Sequence, residues 1–198
     1  GSVGEAIQAD LRAPIQYLPQ EEASLDISYT APDGFNSFMK YVRNIVMVEI
    51  NPSAYTKVTL KYEKDRWASG QIVAILKAPD TTAVVNYLAE KPRLLSDFFT
   101  NVEINRAITL VEKNYSSTVY NVLKEKHDIA LKVPEKFDFY KDTTDFFWAT
   151  NNATTGRMDV VVYTFPYEDE NTFTAEYLLA KRDSVMKENL PGAFSGSY

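Results

Sequence analysis

The sequence predicts an α+β fold, in which a mostly antiparallel central sheet of at least five strands carries amphipathic helices packed mainly on one face. Two short runs, 44–50 and 71–77, are apolar on both faces, which is typical of strands that are covered on both sides. Residues 81–114 and 174–189 have the apolar spacing of helices. The chain contains 13 Tyr, 11 Phe and 2 Trp, an aromatic content that suits β-rich packing.

The N-terminal elements begin with a short helix over residues 5–12. Residues 25–30, LDISYT, alternate in the manner of a strand. Phe35, Phe38, Met39 and Val42 fall on one face of a helix, for which Asp33 is a suitable N-cap. Together with the strand at 44–50, these segments predict a ferredoxin-like β-α-β element.

The remaining elements are predicted from turn and cap signals. Pro92 interrupts the helical pattern of 81–114, so we expect a break there. Ser116 or Ser117 caps a helix that extends to residue 128. Residues 146–165 read as a β-hairpin, in which Gly156 supplies the backbone angles of the turn. Because no Pro-, Gly- or Ser-rich linker divides the chain, we expect residues 1–198 to form a single α+β domain.

The composition argues against several classes of function. The net charge is −6, and no run of five or more basic residues occurs. Both observations argue against nucleic-acid binding and against electrostatic binding to anionic lipid. Without cysteine, the chain cannot form disulfides, thiol nucleophiles or Cys-based zinc sites. His127 is the only histidine, so His-centred metal sites and Ser-His-Asp catalysis are hard to build. We therefore expect no metal, no cofactor and no catalytic residue set.

Arg66 and Trp67, in the segment EKDRW, are the candidate ligand-binding residues. A guanidinium group beside an indole ring can bind a carboxylate or a sugar. The structural alternative is a loop whose tryptophan anchors it to the sheet while its charges face water.

The stretch from Phe146 to Asp169 offers a second candidate surface. Trp148, Tyr163, Phe165 and Tyr167 could line an aromatic groove. Core packing of a hairpin covered on both faces explains the same pattern, and we favour it. The three carboxylates at 168–170 lack the alternation and the glycine of a calcium loop, so we expect a solvated acidic turn.

Several long segments resemble a known family. They are RNIVMVEINP, KYEKDRWASGQIVAILKAPD, NVEINRAI, VVVYTFPYEDENTFTAEYLLAKRDSVMKENLPG and the closing GSY. They resemble a domain-of-unknown-function family of Bacteroidetes lipoproteins. The resemblance implies a piece of a longer, lipid-anchored cell-envelope protein that touches the membrane only through an anchor outside this segment. It implies no catalytic residues.

Two functional hypotheses follow. The first is a non-catalytic binding or interaction module, whose partner is an envelope protein or a small ligand. The second is a hydrolase that uses Asp or Glu as acid and base on a glycan or peptide. The absence of catalytic motifs favours the first. Two carboxyl groups roughly 5–10 Å apart in a deep cleft would favour the second.

Overall fold

The computed structural model describes residues 2–18, 20–190, 192, 194 and 197, with the side chain of residue 139 left out. Over these residues the protein is α+β, as predicted. The α-helices of the described residues are α1 (Ser2–Leu11), α2 (Thr81–Ala89), α3 (Leu94–Lys113), α4 (Ser117–His127) and α5 (Ala175–Asn189). The β-strands of the described residues are β1 (Asn44–Ile50), β2 (Thr59–Lys64), β3 (Ile72–Ala78), β4 (Phe139–Asp142), β5 (Phe146–Thr150) and β6 (Asp159–Tyr163).

The chain divides into two compact units, Gly1–Ala107 and Ile108–Tyr198. Each contains one three-stranded sheet and its own buried cluster. The interpretation of residues 1–198 as one domain stays a prediction, because two compact units can still unfold together.

The first unit contains a sheet with the strand order β1-β3-β2. β3 lies in the centre, parallel to β1 and antiparallel to β2. Val73, Ala74, Ile75 and Leu76 of β3 are almost completely buried, in agreement with a strand that is covered on both faces.

Helices α1, α2 and α3 pack on the face of this sheet that carries Leu76. The residues of the buried cluster are Leu11, Ala74, Leu76, Ala78, Val84, Leu88, Leu95 and Phe99. Phe98 of α3 also stacks on Tyr62 of β2, with the ring centroids 3.9 Å apart. The expected placement of helices on one face is therefore present in this unit.

The second unit contains an antiparallel sheet with the order β4-β5-β6. Phe147 and Ala149 of β5 form a cluster with Val119 and Leu123 of α4. Pairing among the described strands is therefore mostly antiparallel, but the expected single central sheet is wrong. The residues between β3 and β4 are largely helical, and each sheet contains three strands that follow one another in the chain and contributes to its own buried cluster.

The expected β-α-β element over residues 25–50 does not form. Residues 25–30 have no ladder partner among the described residues, although Leu25 and Ile27 do pack on the first cluster. Two 3₁₀ turns, Pro32–Gly34 and Met39–Tyr41, replace the predicted helix. Asn36 explains the difference, because its side-chain oxygen accepts the amides of Phe38 and Met39 and competes with helical hydrogen bonding.

The later turn and cap predictions are confirmed. α2 ends and α3 begins on either side of Pro92. The Ser116 hydroxyl accepts the Val119 amide at the start of α4. β5 and β6 form the hairpin, and Gly156 in its turn has a φ of 64°.

Candidate binding site at the Trp67 loop

The connection between β2 and β3, residues 65–71, is a tightly held loop that we call the Trp67 loop. Asp65 and Gly70 both have positive φ, 54° and 77°. The Asp65 carboxylate accepts the amide of Gly70, and the Asp65 amide donates to the Gln71 carbonyl at 3.0 Å. Asp and Gly tolerate this backbone region better than other residues. The loop therefore presents Arg66 and Trp67 in a fixed geometry.

Trp67 is half-buried and packed at the top of this loop. Its ring centroid lies 5.6 Å from that of Phe35 in a tilted arrangement. Its backbone amide donates to the Gln71 side-chain oxygen at 3.1 Å. The indole therefore anchors the loop, as the structural alternative requires, while the residue as a whole stays partly exposed.

Arg66 stacks on its neighbour. The guanidinium carbon lies 4.5 Å from the Trp67 ring centroid, a cation–π distance. The Nη1 atom lies 3.1 Å from the Glu63 carboxylate of β2. The Arg66 side chain is 33% exposed. Its guanidinium group is therefore held by these two contacts and is also accessible to solvent.

A second cation reaches the same ring from residues 35–42, which we call the Lys40 segment. The Lys40 ammonium lies 5.9 Å from the Trp67 ring centroid. Gln71 holds this segment beside the loop, because its side-chain amide donates to the carbonyls of Lys40 and Val42 at 2.7 Å each. Gln71 is 1% exposed, and its side-chain oxygen and nitrogen are both hydrogen-bonded.

Helix α3 supports the far end of the loop through Arg106. Its Nη2 donates to the Gly70 carbonyl at 2.6 Å, and its Nη1 donates to Glu103 at 2.6 Å. Burial raises the pKa of Glu103, but the Asn44 amide and the nearby Arg43 and Arg106 outweigh burial and hold that pKa below its ordinary value. Glu103 therefore stays ionised and keeps Arg106 on the loop.

The two residues predicted from sequence thus lie together, and the structure adds three that the sequence reasoning missed. Phe35, Lys40 and Gln71 come from outside the EKDRW segment. The aromatic and basic run FNSFMKYVR is a usable signal for the first two, although its spacing predicts a helix. Nothing in the local sequence marks Gln71.

Comparison with known families gives two matches. The model of Domain of unknown function (DUF8532) matches residues 1–112, which is more than half of the chain. The chain belongs to this family. A second model, Domain of unknown function (DUF4837), matches residues 116–198. No curated protein and no solved structure matches the chain.

In this DUF8532 member, the four aromatic residues of the second candidate surface lie outside the buried core, because Trp148, Tyr163 and Phe165 are half-buried and Tyr167 is 60% exposed. The favoured explanation, core packing, applies to other residues of the stretch. Phe146 and Phe147 are buried on β5, whereas Trp148 is half-buried. The Trp148 indole donates to Asp159 at 2.9 Å. Burial raises the pKa of Asp159, but hydrogen bonds from Trp148, Arg157 and Thr150 outweigh it and lower that pKa. This carboxylate is therefore an ionised partner of the indole.

Asp169, one of the three carboxylates at 168–170, has a structural role. Asp169 caps the 3₁₀ turn Glu170–Phe173, where it accepts the Asn171 amide at 2.8 Å. Among the described residues of this DUF8532 member, no group of three or more His, Cys, Asp or Glu side chains is arranged to hold a metal ion. Within the same residues, no helix has the length and apolar character needed to span a bilayer.

Proposed function

We propose that the protein is a non-catalytic binding module whose ligand carries a carboxylate. The observation that carries the proposal is the Arg66 guanidinium stacked 4.5 Å from the Trp67 ring, with the Lys40 ammonium near the same ring. A guanidinium group binds carboxylates through paired hydrogen bonds, and stacking on an aromatic ring limits the rotamer freedom that would be lost on binding. Arg66 and Trp67 are the binding residues in this proposal.

Among the described carboxyl groups whose pKa is shifted, none has the raised pKa of a general acid. An acid–base hydrolase needs one carboxyl group whose pKa is raised, so that it can donate a proton near neutral pH. Glu49, Glu103 and Asp159 shift in the opposite direction. No specific observation favours the alternative of a carboxylate-dependent hydrolase.

The test is titration of the protein with poly-L-glutamate and with polygalacturonate, followed through the NMR signal of the Trp67 indole. Dextran, which has no carboxylate, is the negative ligand. Arg66→Ala should weaken binding of at least one carboxylate polymer by about tenfold, the factor that corresponds to about 1.4 kcal/mol. Arg157→Ala is the matched control, because Arg157 also lies over a tryptophan, Trp148. Equal affinity of wild type and Arg66→Ala would overturn the proposal.

We also propose that the full-length protein is a lipid-anchored protein of the cell envelope, and that its ligand is an envelope protein or a small molecule. The resemblance to Bacteroidetes lipoproteins supports this proposal. Metabolic labelling of the full-length gene product with an alkyne-tagged fatty acid, followed by envelope fractionation, tests it. An unlabelled protein outside the envelope fraction would contradict it.

A further inference from the structure

We propose that the ligand of the Trp67 site is an acidic segment of a protein, and that Glu63 competes with this segment for Arg66 from within the chain. The inference rests on the proposed function and adds the class of partner and a built-in competitor. It is carried by the ion pair between Glu63 and Arg66 and by the exposed aromatic residues of the Lys40 segment.

The surroundings of the two cations have the composition of a protein-binding surface. Phe38 is 79% exposed, Tyr41 71% and Val42 47%, and all three flank Lys40 in the chain. Gln71 holds this segment to the Trp67 loop through the carbonyls of Lys40 and Val42. Aromatic side chains and arginine are enriched at the centres of protein interfaces. A partner segment with carboxylates and apolar side chains fits such a surface.

The Trp67 ring is a poor platform for a sugar. Arg66, Lys40 and Phe35 all lie within 6 Å of its centroid. A sugar that stacks on an indole needs an open ring face, and these three neighbours compete for that space. A carboxylate of either ligand needs only the guanidinium and the ammonium group. The crowded ring and the exposed apolar side chains of the Lys40 segment therefore favour an acidic peptide over an acidic glycan.

Glu63 already holds the position that a ligand carboxylate would take. Its Oε2 lies 3.1 Å from Arg66 Nη1, and the two side chains are 47% and 33% exposed. Exposed ion pairs of this kind contribute little free energy. A partner with several carboxylates can therefore replace Glu63 at a small cost. Electrostatic attraction draws the acidic peptide to the positive charges of Arg66 and Lys40.

The experiment measures the affinity of full-chain variants for two capped peptides, hexaglutamate and an alternating Glu-Leu hexamer. Glu63→Gln removes the competing charge and should tighten binding of both by about two- to fivefold, the range of an exposed ion pair. Glu112→Gln is the control, because it changes the net charge equally on helix α3, in the other compact unit. Lys40→Met should weaken both peptides.

A second variant tests the aromatic part of the surface. Phe38→Ser should weaken the Glu-Leu peptide more than hexaglutamate, and it alters a side chain that is 79% exposed, so the fold is retained. If Phe38→Ser lowers the affinity for the two peptides equally, the exposed apolar side chains do not contribute to binding, and that part of the proposal is wrong.

The outcomes separate the inference from the proposed function. If wild type binds peptide through Arg66 but Glu63→Gln binds no tighter than Glu112→Gln, the competitor role is overturned and the proposed function stands. If polygalacturonate binds more tightly than either peptide, the class of partner is wrong. If neither wild type nor Glu63→Gln binds a carboxylate probe, both proposals fall together.

Discussion

Gln71 connects segments that are far apart in the chain. Its side chain joins the Trp67 amide to the carbonyls of Lys40 and Val42. A buried amide is costly unless its donors and acceptors are satisfied, and here the side-chain oxygen and nitrogen both have partners. Because Gln71 is 1% exposed, breaking these bonds would leave polar atoms of its side chain without partners and shielded from water. This single side chain thus holds the Trp67 loop and the Lys40 segment together in the candidate site.

Glu49 provides a residue whose contribution to stability depends on pH. Lys77 pairs with its carboxylate at 3.0 Å across β1 and β3, and the Tyr55 hydroxyl donates to it at 3.0 Å. The hydrogen bond from Lys77, followed by that from Tyr55, holds the pKa of Glu49 below its ordinary value of 4.5. Because the folded pKa is the lower one, the stabilisation is present above pH 4.5 and is lost as the pH falls through the folded pKa.

We therefore expect the coupling free energy between Glu49 and Lys77 to fall as the medium becomes acidic. A double-mutant cycle of Glu49→Gln and Lys77→Met, followed by urea unfolding at several pH values below neutral, measures it. Groups that titrate alike in all four proteins cancel in the cycle. A coupling that stays constant, or that grows as the pH falls, would show that the ion pair is not what lowers the pKa.

Helix α3 begins at a cap from a distant part of the chain. The Asp10 carboxylate of α1 accepts the amides of Leu95 at 2.9 Å and Ser96 at 3.0 Å. The N-terminal amides of a helix lack intrahelical partners, and the helix dipole favours a negative charge there. Asp10 is 8% exposed, so water cannot substitute for it readily. The cap connects α1 to α3 in the first unit.

Asp10→Ala should lower the free energy of unfolding by about 1–2 kcal/mol, the usual effect of removing a cap. Asp10→Asn keeps one side-chain oxygen as an acceptor and should cost less. Urea unfolding followed by far-UV circular dichroism measures both, and Glu21→Ala, at an exposed position, is the control. An equal loss for Asn and Ala would mean that packing, and not capping, gives Asp10 its effect.

The division into two compact units bears on how the chain folds. The buried clusters of the two units share no residue, and the two family models meet between residues 112 and 116. Each unit thus has apolar residues of its own to bury, the main source of folding free energy.

We expect the separate fragments 1–114 and 115–198 each to give dispersed NMR spectra and a cooperative unfolding transition. The cut leaves helix α3 intact and keeps the Ser116 cap with α4. The full chain serves as the control for native chemical shifts. Fragments that give only unfolded spectra would favour the prediction of a single domain over residues 1–198.

Much of the fold followed from local patterns. The run QIVAILK correctly indicated a strand covered on both faces. The break at Pro92, the helix cap at Ser116 and the hairpin turn at Gly156 also lie where the sequence predicts them. These features depend on backbone sterics, capping and periodicity, which act over a few neighbouring residues. Residues 25–30 show the limit of such patterns: the alternation found the buried Leu25 and Ile27, but pairing also needs a neighbouring strand.

The candidate site likewise contains residues that the local sequence identifies and residues that only the tertiary structure brings together. Arg66 and Trp67 could be identified as candidate binding residues from one short segment, because the sequence itself places a basic residue next to an aromatic one. Lys40 and Phe35 reach that ring from a distant segment, which Gln71 contacts through a carbonyl 31 residues earlier. The separation into two sheets likewise follows from which strands meet, over distances that local periodicity does not encode. Short-range chemistry thus set the helices, strands and turns, whereas long-range packing and hydrogen bonding set the pairing and assembled the site.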